Sequence, residues 1–583
     1  MKSIFNNIII IFQILNKNQI NFFYLILLLT FISISLDLIG IGLFIPIINF
    51  LLEQDIYLQK NFLNKYVGFL REYSDINIYI LLFIPLVLIF FIKTIFQIFF
   101  VWVQNAFVNQ ILHTQSTSLY KLYIKQDYIF HSERETSSAV RNILSEVNNF
   151  QFYVLHLINL IIEFLLILII FVFLIFFEPL VTISCFLFFS IFTLSYYFIT
   201  QSSFTKWGSA KILHSNIFIK TILNGLSGIK EIKIFGVENR FTNIYEKNIK
   251  KYSYYILLTS FFSSIPKIII EFLTILLMCI VLLFFIQKGQ DTNMAMAKLA
   301  IFAVIIFRLM PAFNRLNYSL HNLKSLSPSI KNVSNEFSKL RKNLLEQNLL
   351  NQNLKKINFK YNNSINFKNL SFKYKNSDNY IFKNLNFSLK KNSMIGILGP
   401  SGSGKTTFVN LITGLIKPNN GKILVDDFQD INDDISSWRL KIGYVSQSIF
   451  LFDGTLEENI SFGSENEKID QSKLLNCIKL SQLDKFVKEQ KDGLKTLIGE
   501  NGAKISGGQI QRIGIARSLY RNNEILILDE STNALDEETE KEFFKSLMIL
   551  KGNRTIILIS HNKENLKYCD KVYNVKNGTI LDD

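Results

Sequence analysis

The run GPSGSGKTT, from Gly399 to Thr407, satisfies the phosphate-gripping spacing GxxxxGK[ST] through Gly399, Gly404, Lys405 and Thr406. Glycines let backbone N–H groups surround the phosphates, and Pro400, Ser401, Gly402 and Ser403 complete the loop between the outer glycines. Lys405 is placed to reach the outer phosphates, the Thr406 hydroxyl suits Mg²⁺, and Thr407 follows on a helix whose N-terminus adds a favourable dipole. A second motif, EILILDE, ends the apolar run Ile525 to Leu528 with Asp529 and Glu530. Asp529 suits the Mg²⁺ shell and Glu530 suits polarising a water. Either carboxylate alone could be the solvated end of a core strand; the phosphate loop upstream makes the pair chemistry. His561 follows the apolar run TIILIS, one strand beyond Glu530, where it can meet the γ-phosphate. The expected reaction is hydrolysis of ATP with Mg²⁺.

These residues need an α/β frame. The loop lies between an apolar strand, Met394 to Leu398, and the helical run FVNLITGLI, and the stretch INFKNLSFKY opens an alternation of strands and helices. Residues 366–583 are therefore read as a nucleotide-binding domain and 326–365 as a helical extension and linker. Residues 1–325 are read differently. The 583-residue chain is 49% hydrophobic with mean hydropathy +0.26, and its apolar runs near 21–52, 77–110, 150–178, 180–204, 254–287 and 293–324 reach the ~20 residues that cross a bilayer. The expected fold is thus an all-α membrane domain of six transmembrane helices fused to a cytosolic α/β P-loop domain. Several runs exceed the bilayer and must tilt or project into water.

The formal net charge of +16 is not gathered into an aromatic-interleaved patch, so nucleic acid is not expected as a partner. Lysines and arginines crowd the loops after the second and fourth spans, which places those loops and both termini in the cytoplasm of a multi-pass protein of the inner (plasma) membrane. The 53–76 loop is then external, and Phe62, Leu63, Tyr66, Val67, Phe69 and Leu70 give it the spacing of a short amphipathic helix. The four cysteines are far apart and suggest neither zinc nor disulfides. No small-residue cleavage site follows the N-terminal apolar run, so no removable leader is expected.

ISGGQIQR, Ile505 to Arg512, together with the phosphate loop, Gln447, LILDE and His561 in this order, resembles ATP-binding-cassette proteins, and six spans ahead of one cassette resemble a type IV exporter half-transporter. The resemblance implies that Tyr374 stacks on adenine, that Gln447 touches Mg²⁺ and senses the membrane domain, and that Asp536 of STNALD belongs to the D-loop. It also implies that Ser506, Gly507, Gly508 and Gln509 contact ATP held by a second copy, which makes a homodimer the economical assembly. Ile505 and Asn533 depart from the family pattern without removing a phosphate or metal ligand. QDYIFHSERE and IKEIKIFGVENRF resemble the transmission segments of such exporters.

Charges inside spans mark function by default. Lys93 and Arg308 fall roughly 22 Å inward from the outer ends of their spans and Lys267 roughly 31 Å, at 1.5 Å per residue. Facing a cavity, these cations would suit a phosphate-bearing head group; alternatively, Asp37, Glu163 and Glu271 at similar depth neutralise them. SLDLIGIGLFIPII and FRLMPAFNRL resemble PglK-type flippases, which implies a lipid-linked oligosaccharide with a pyrophosphate as substrate. A multidrug or lipid exporter of the same architecture, and a membrane-anchored ATPase that transports nothing, are the rival readings.

Overall fold

In a computed structural model the chain is described over residues 2–52, 78–176, 179–287, 292–351 and 359–582, apart from positions 376, 463–468, 500–501, 503, 522, 532–536 and 577. It divides into two units, Met1–Gln126 with Glu133–Leu345, and Asp127–Ser132 with Glu346–Asp583. The expected external helix at 53–76 lies outside the described residues.

The first unit is helical. A short helix, Lys2–Ile14, precedes Lys17–Leu52, Ile78–Ile124, Val147–Ile175, Pro179–Ser227, Glu238–Gln287 and Thr292–Asn351. Among the described residues five helices are long and apolar enough to cross a membrane, and Thr292–Asn351 carries the sixth expected span. Four of them run 47, 49, 50 and 60 residues, or roughly 70 to 90 Å at 1.5 Å per residue. That is far more than the hydrocarbon needs, so the surplus continues as helix instead of ending in loops. Apolar side chains remain on the outside, Trp102 at 68% and Ile199 at 75% exposure, because lipid and not protein is their solvent. Inside, Phe189, Ile270, Ala312 and Phe313 form a core, and polar side chains tie helix to helix. Asn7 donates to Ser327 (2.8 Å) and Tyr153 (3.2 Å), and Gln104 donates to Asn159 (2.6 Å).

The second unit is α/β. Strands β1 (Ser364–Phe372), β2 (Phe382–Lys390), β4 (Asn420–Val425) and β5 (Gln429–Asp430) make an antiparallel sheet in the order β2-β1-β4-β5. Strands β3 (Met394–Leu398), β6 (Ile442–Val445), β7 (Ile525–Asp529), β8 (Thr555–Ile559), β9 (Lys571–Lys576) and β10 (Thr579–Asp582) make the other, in the order β10-β9-β3-β8-β7-β6. All neighbours from β9 to β6 are parallel. Every residue of β7 and β8 is buried, which is why both read as unbroken apolar runs. Asp426 closes the first sheet by accepting the backbone N–H groups of Asn362, Asn363 and Ser364 at 2.6 to 2.9 Å.

The segment read as a helical extension and linker, 326–365, is divided between the two kinds of structure. Thr292–Asn351 continues as helix beyond position 326, whereas Phe359 and Tyr361 are buried in the α/β core.

Candidate functional site

Parallel register assembles the site. Val445 pairs with Leu528, and Asp529 and Ile397 both pair with Ile559, so β3, β6, β7 and β8 end at one level. The residues just past those ends are the phosphate loop, Gln447, Glu530 and His561. Ligands of open parallel sheets bind at such an edge.

The loop from Gly399 leads into the Lys405–Ile412 helix. Gly402 and Gly404 have φ of +80° and +108°, and a Cβ at Gly404 would come within 2.9 Å of Ile381, so glycine is required there. Lys405 Nζ donates to the carbonyls of Gly399 (2.8 Å) and Pro400 (3.0 Å). Burial pulls its ammonium below the ordinary value, opposed by the charges of Glu530 and Asp529. The Ser403 hydroxyl is buried without a hydrogen-bond partner, and Thr406 is exposed beside it.

Glu530 is held from both sides: its Oε2 accepts from Gln447 Nε2 at 2.7 Å and its Oε1 lies 2.5 Å from His561 Nε2. Its φ is +48°, a left-handed conformation that costs a non-glycine residue about 1 to 3 kcal/mol. The bond from its N–H to the Ile559 carbonyl, 3.0 Å, helps fix it. Burial holds the Asp529 carboxyl above the ordinary aspartate range; a hydrogen bond from Tyr444, 3.3 Å, opposes that shift, and the Glu530 charge adds to it. A buried carboxylate so sparsely compensated, beside an exposed threonine hydroxyl and the amide of Gln447, suits a hard divalent cation such as Mg²⁺. Tyr444 was not legible as a site residue; its position on β6, three residues before Gln447, was the available signal.

Tyr374 stands at 39% exposure, its ring edge-on to Phe372 and its hydroxyl 3.4 Å from Thr407 Oγ1. Ser506 caps the Gly507–Tyr520 helix by accepting from Gln509 N, and Gln509 Oε1 accepts from Ser506 N in return. Gln509 thus serves its own helix, while Ser506 and Gly507 stay exposed. Asn533 and Asp536 lie outside the described residues. The loop helix Tyr128–Ser132 belongs to this α/β unit. Ile129 packs on its core, and Tyr128 adds its influence to Tyr444, the residue bound to Asp529.

In the helical unit the cationic expectation changes. Lys93 is ion-paired with Asp37, which is 3% exposed, and its ammonium stands 4.9 Å from the Phe90 ring centre; it is a structural partner and not a free cavity cation. Glu163 pairs with Arg315 through Nε and, at 3.2 Å, Nη2; Arg315 lies two turns beyond position 308 within FRLMPAFNRL. Lys267 and Glu271 are one turn apart and both exposed. The Arg308 side chain lies outside the described residues.

Two family models match the chain: ABC transporter transmembrane region over residues 23–312 and ABC transporter over residues 382–533, together more than half its length. A multidrug resistance ABC transporter ATP-binding and permease protein of Lactococcus lactis is 38% identical over 200 residues, 34% of each chain. An ATP-dependent lipid A-core flippase of Blochmanniella floridana is likewise 38% identical over 200 residues, 34% of each. The chain thus spans about a third of the length of these curated relatives. The solved structure of a bacterial Atm1-family ABC exporter with ATP bound shares the fold, with TM-score 0.74 at 20% identity over 97% of this chain and 94% of that one.

Proposed function

Because the chain belongs to the ABC transporters, with their transmembrane region and ATP-binding domain on one polypeptide, we propose that it couples ATP hydrolysis to export of an amphipathic, lipid-type substrate. The observation that carries this reading is Glu530, tethered by Gln447 and His561 at the strand edge that also presents the phosphate loop. Tyr374 receives adenine, residues Gly399–Thr407 receive the phosphates, and Thr406, Gln447 and Asp529 hold Mg²⁺, which neutralises phosphate charge when bound. Glu530 accepts a proton from the water that attacks the γ-phosphorus, and His561 fixes the carboxylate and reaches the γ-phosphate. Ser506, Gly507 and Gly508 close on the ATP of a second copy, so a homodimer in the plasma membrane holds two complete sites; the resemblance assigns Asp536 to the D-loop. Glu530→Gln is expected to lower steady-state ATP hydrolysis by about 100-fold or more while ATP binding persists; turnover near the wild-type rate in that variant would reject Glu530 as the base.

For the cargo, the named lipid A-core flippase relatives support a lipid substrate, and within that class we favour a pyrophosphate-linked oligosaccharide lipid. Lys267 and the Arg308 position supply the cationic contacts once Lys93 is assigned to Asp37. Reconstituted vesicles discriminate the readings: ATP-dependent flipping of a labelled lipid-pyrophosphate sugar, reduced in Lys267→Ala and Arg308→Ala, supports it. Flipping of lipid A or drugs in its place moves the assignment to the multidrug or lipid exporter class.

A further inference from the structure

A polar cavity of about 200 Å³ lies within the helical unit, bounded by four helical segments. Its lining includes Glu146, Asn149, Lys211, Ser215, Tyr252 and Ser325. Each belongs to a stretch that flanks the cytoplasmic end of an expected span, within about three helical turns of it. The cavity therefore begins at the level of lipid head groups on the cytoplasmic side and extends beyond it.

Its construction is specific. Residues Asn142–Glu146 form a π-helical turn, a distortion of the helix that recurs where a side chain must be re-aimed. It delivers Glu146, 2% exposed, into the lining. One carboxylate oxygen stands 3.6 Å from Arg141 Nη1, and Ser329 and Asn332 lie within hydrogen-bonding reach of the carboxylate, while the other oxygen, Oε2, is buried and makes no hydrogen bond of good geometry. The Ser325 hydroxyl is likewise buried and unpartnered. Beside them the backbone comes close: a Cβ on Gly208 would lie 2.0 Å from the Ser325 carbonyl oxygen, so only glycine fits at that wall. Across the lining Lys211, half-buried, makes no ion pair or hydrogen bond among the described residues.

A buried acid, answered by Arg141 at one oxygen only, and a half-buried base therefore face one cavity without pairing with each other. Opposite charges removed from water and left apart are costly unless something bridges them. Water can hydrogen-bond to each but brings no counter-charge to either. A group with an ammonium at one end and an anionic oxygen at the other bridges both, the ammonium on Glu146 Oε2 and the anion on Lys211. We propose that this cavity binds a small zwitterion of that kind. At head-group depth its source is either a phospholipid bearing a primary ammonium or a free molecule of the same chemistry.

The test uses the full chain in nanodiscs of phosphatidylglycerol, which offers no ammonium. One arm titrates O-phosphoethanolamine and reads equilibrium binding. The second replaces the discs with phosphatidylethanolamine and reads retained lipid by native mass spectrometry. Wild-type binding is expected in at least one arm, and Glu146→Gln and Lys211→Gln should each weaken it about tenfold or more, the loss that one charged hydrogen bond represents. Retention of lipid alone identifies the head group as the source; binding of the free molecule alone identifies a soluble one. Lys211 breaks no structural contact when replaced, so Lys211→Gln decides the matter if Glu146→Gln fails to fold. Binding in neither arm, or binding by the variants equal to wild type, overturns the proposal.

Discussion

At the scale of residues, the ATP site is a balance of buried charges. Asp529 is raised by burial, so its charged form is disfavoured in the folded chain. A carboxyl raised on folding stabilises the protein below its unfolded value, and that contribution is lost as pH climbs through the folded value. Asp529→Asn is therefore expected to raise the melting temperature of the Mg²⁺-free protein at pH 7.5, with the gain shrinking as pH falls and wild-type Asp529 takes up its proton. The same variant should lose most of the stabilisation that Mg²⁺ and ATP confer together. Thermal melts of the full chain at both pH extremes check both statements. The loop, Asp529, Glu530 and His561 were readable in the sequence because each motif is local and its spacing is set by one strand end. Tyr444 was not, because its bond to Asp529 depends on the β6–β7 register.

At the scale of elements, the helical unit is held by polar pairs between helices that no single helix announces. Lys93 and Asp37 were both visible as charges inside spans, and their depth allowed either a cavity or a pair. Which of the two holds depends on the rotation of two helices about their axes, and neither helix has the amphipathic stripe that would fix it from sequence. The pair makes a distinct prediction. Asp37→Asn leaves the half-buried Lys93 without its counter-charge and should destabilise the protein by about 3 kcal/mol, whereas the double variant Asp37→Leu, Lys93→Met should recover most of that loss. Comparing the thermal inactivation midpoints of the purified protein gives the test; a loss in the double variant equal to the sum of the losses in the two single variants would mean that the two residues act independently. Glu163 and Arg315 carry the same lesson, because the charge that answers Glu163 lies two turns from the one that attracted notice.

At the scale of the whole molecule, the single chain leaves apolar surface that one copy does not cover. The short helix Ile229–Phe235 ends at Gly236, whose φ of +63° turns the chain back. Ile229, Ile234 and Phe235 are 49, 69 and 74% exposed. Adjacent apolar side chains held out this far from water's preference mark a contact surface, and we expect a second copy to cover it. Phe235→Asp should leave ATP binding intact and reduce substrate-stimulated ATP hydrolysis about tenfold or more; measured stimulation equal to wild type would show that this segment plays no part in coupling.

The helix Thr292–Asn351 carries Pro311 and Pro328 within its length. Neither proline offers an N–H to the carbonyl one turn before it, and each ring crowds that carbonyl. A rod of some 90 Å at 1.5 Å per residue is thereby notched in two places, at the backbone near Phe307 and near Lys324. Stiffness elsewhere means that strain applied at either end gathers at those notches, and the stretch between them travels as one lever. The inner notch at Pro328 lies between Ser325 and Ser329, both in the lining of the polar cavity beside Gly208, so a bend there would change that cavity's width.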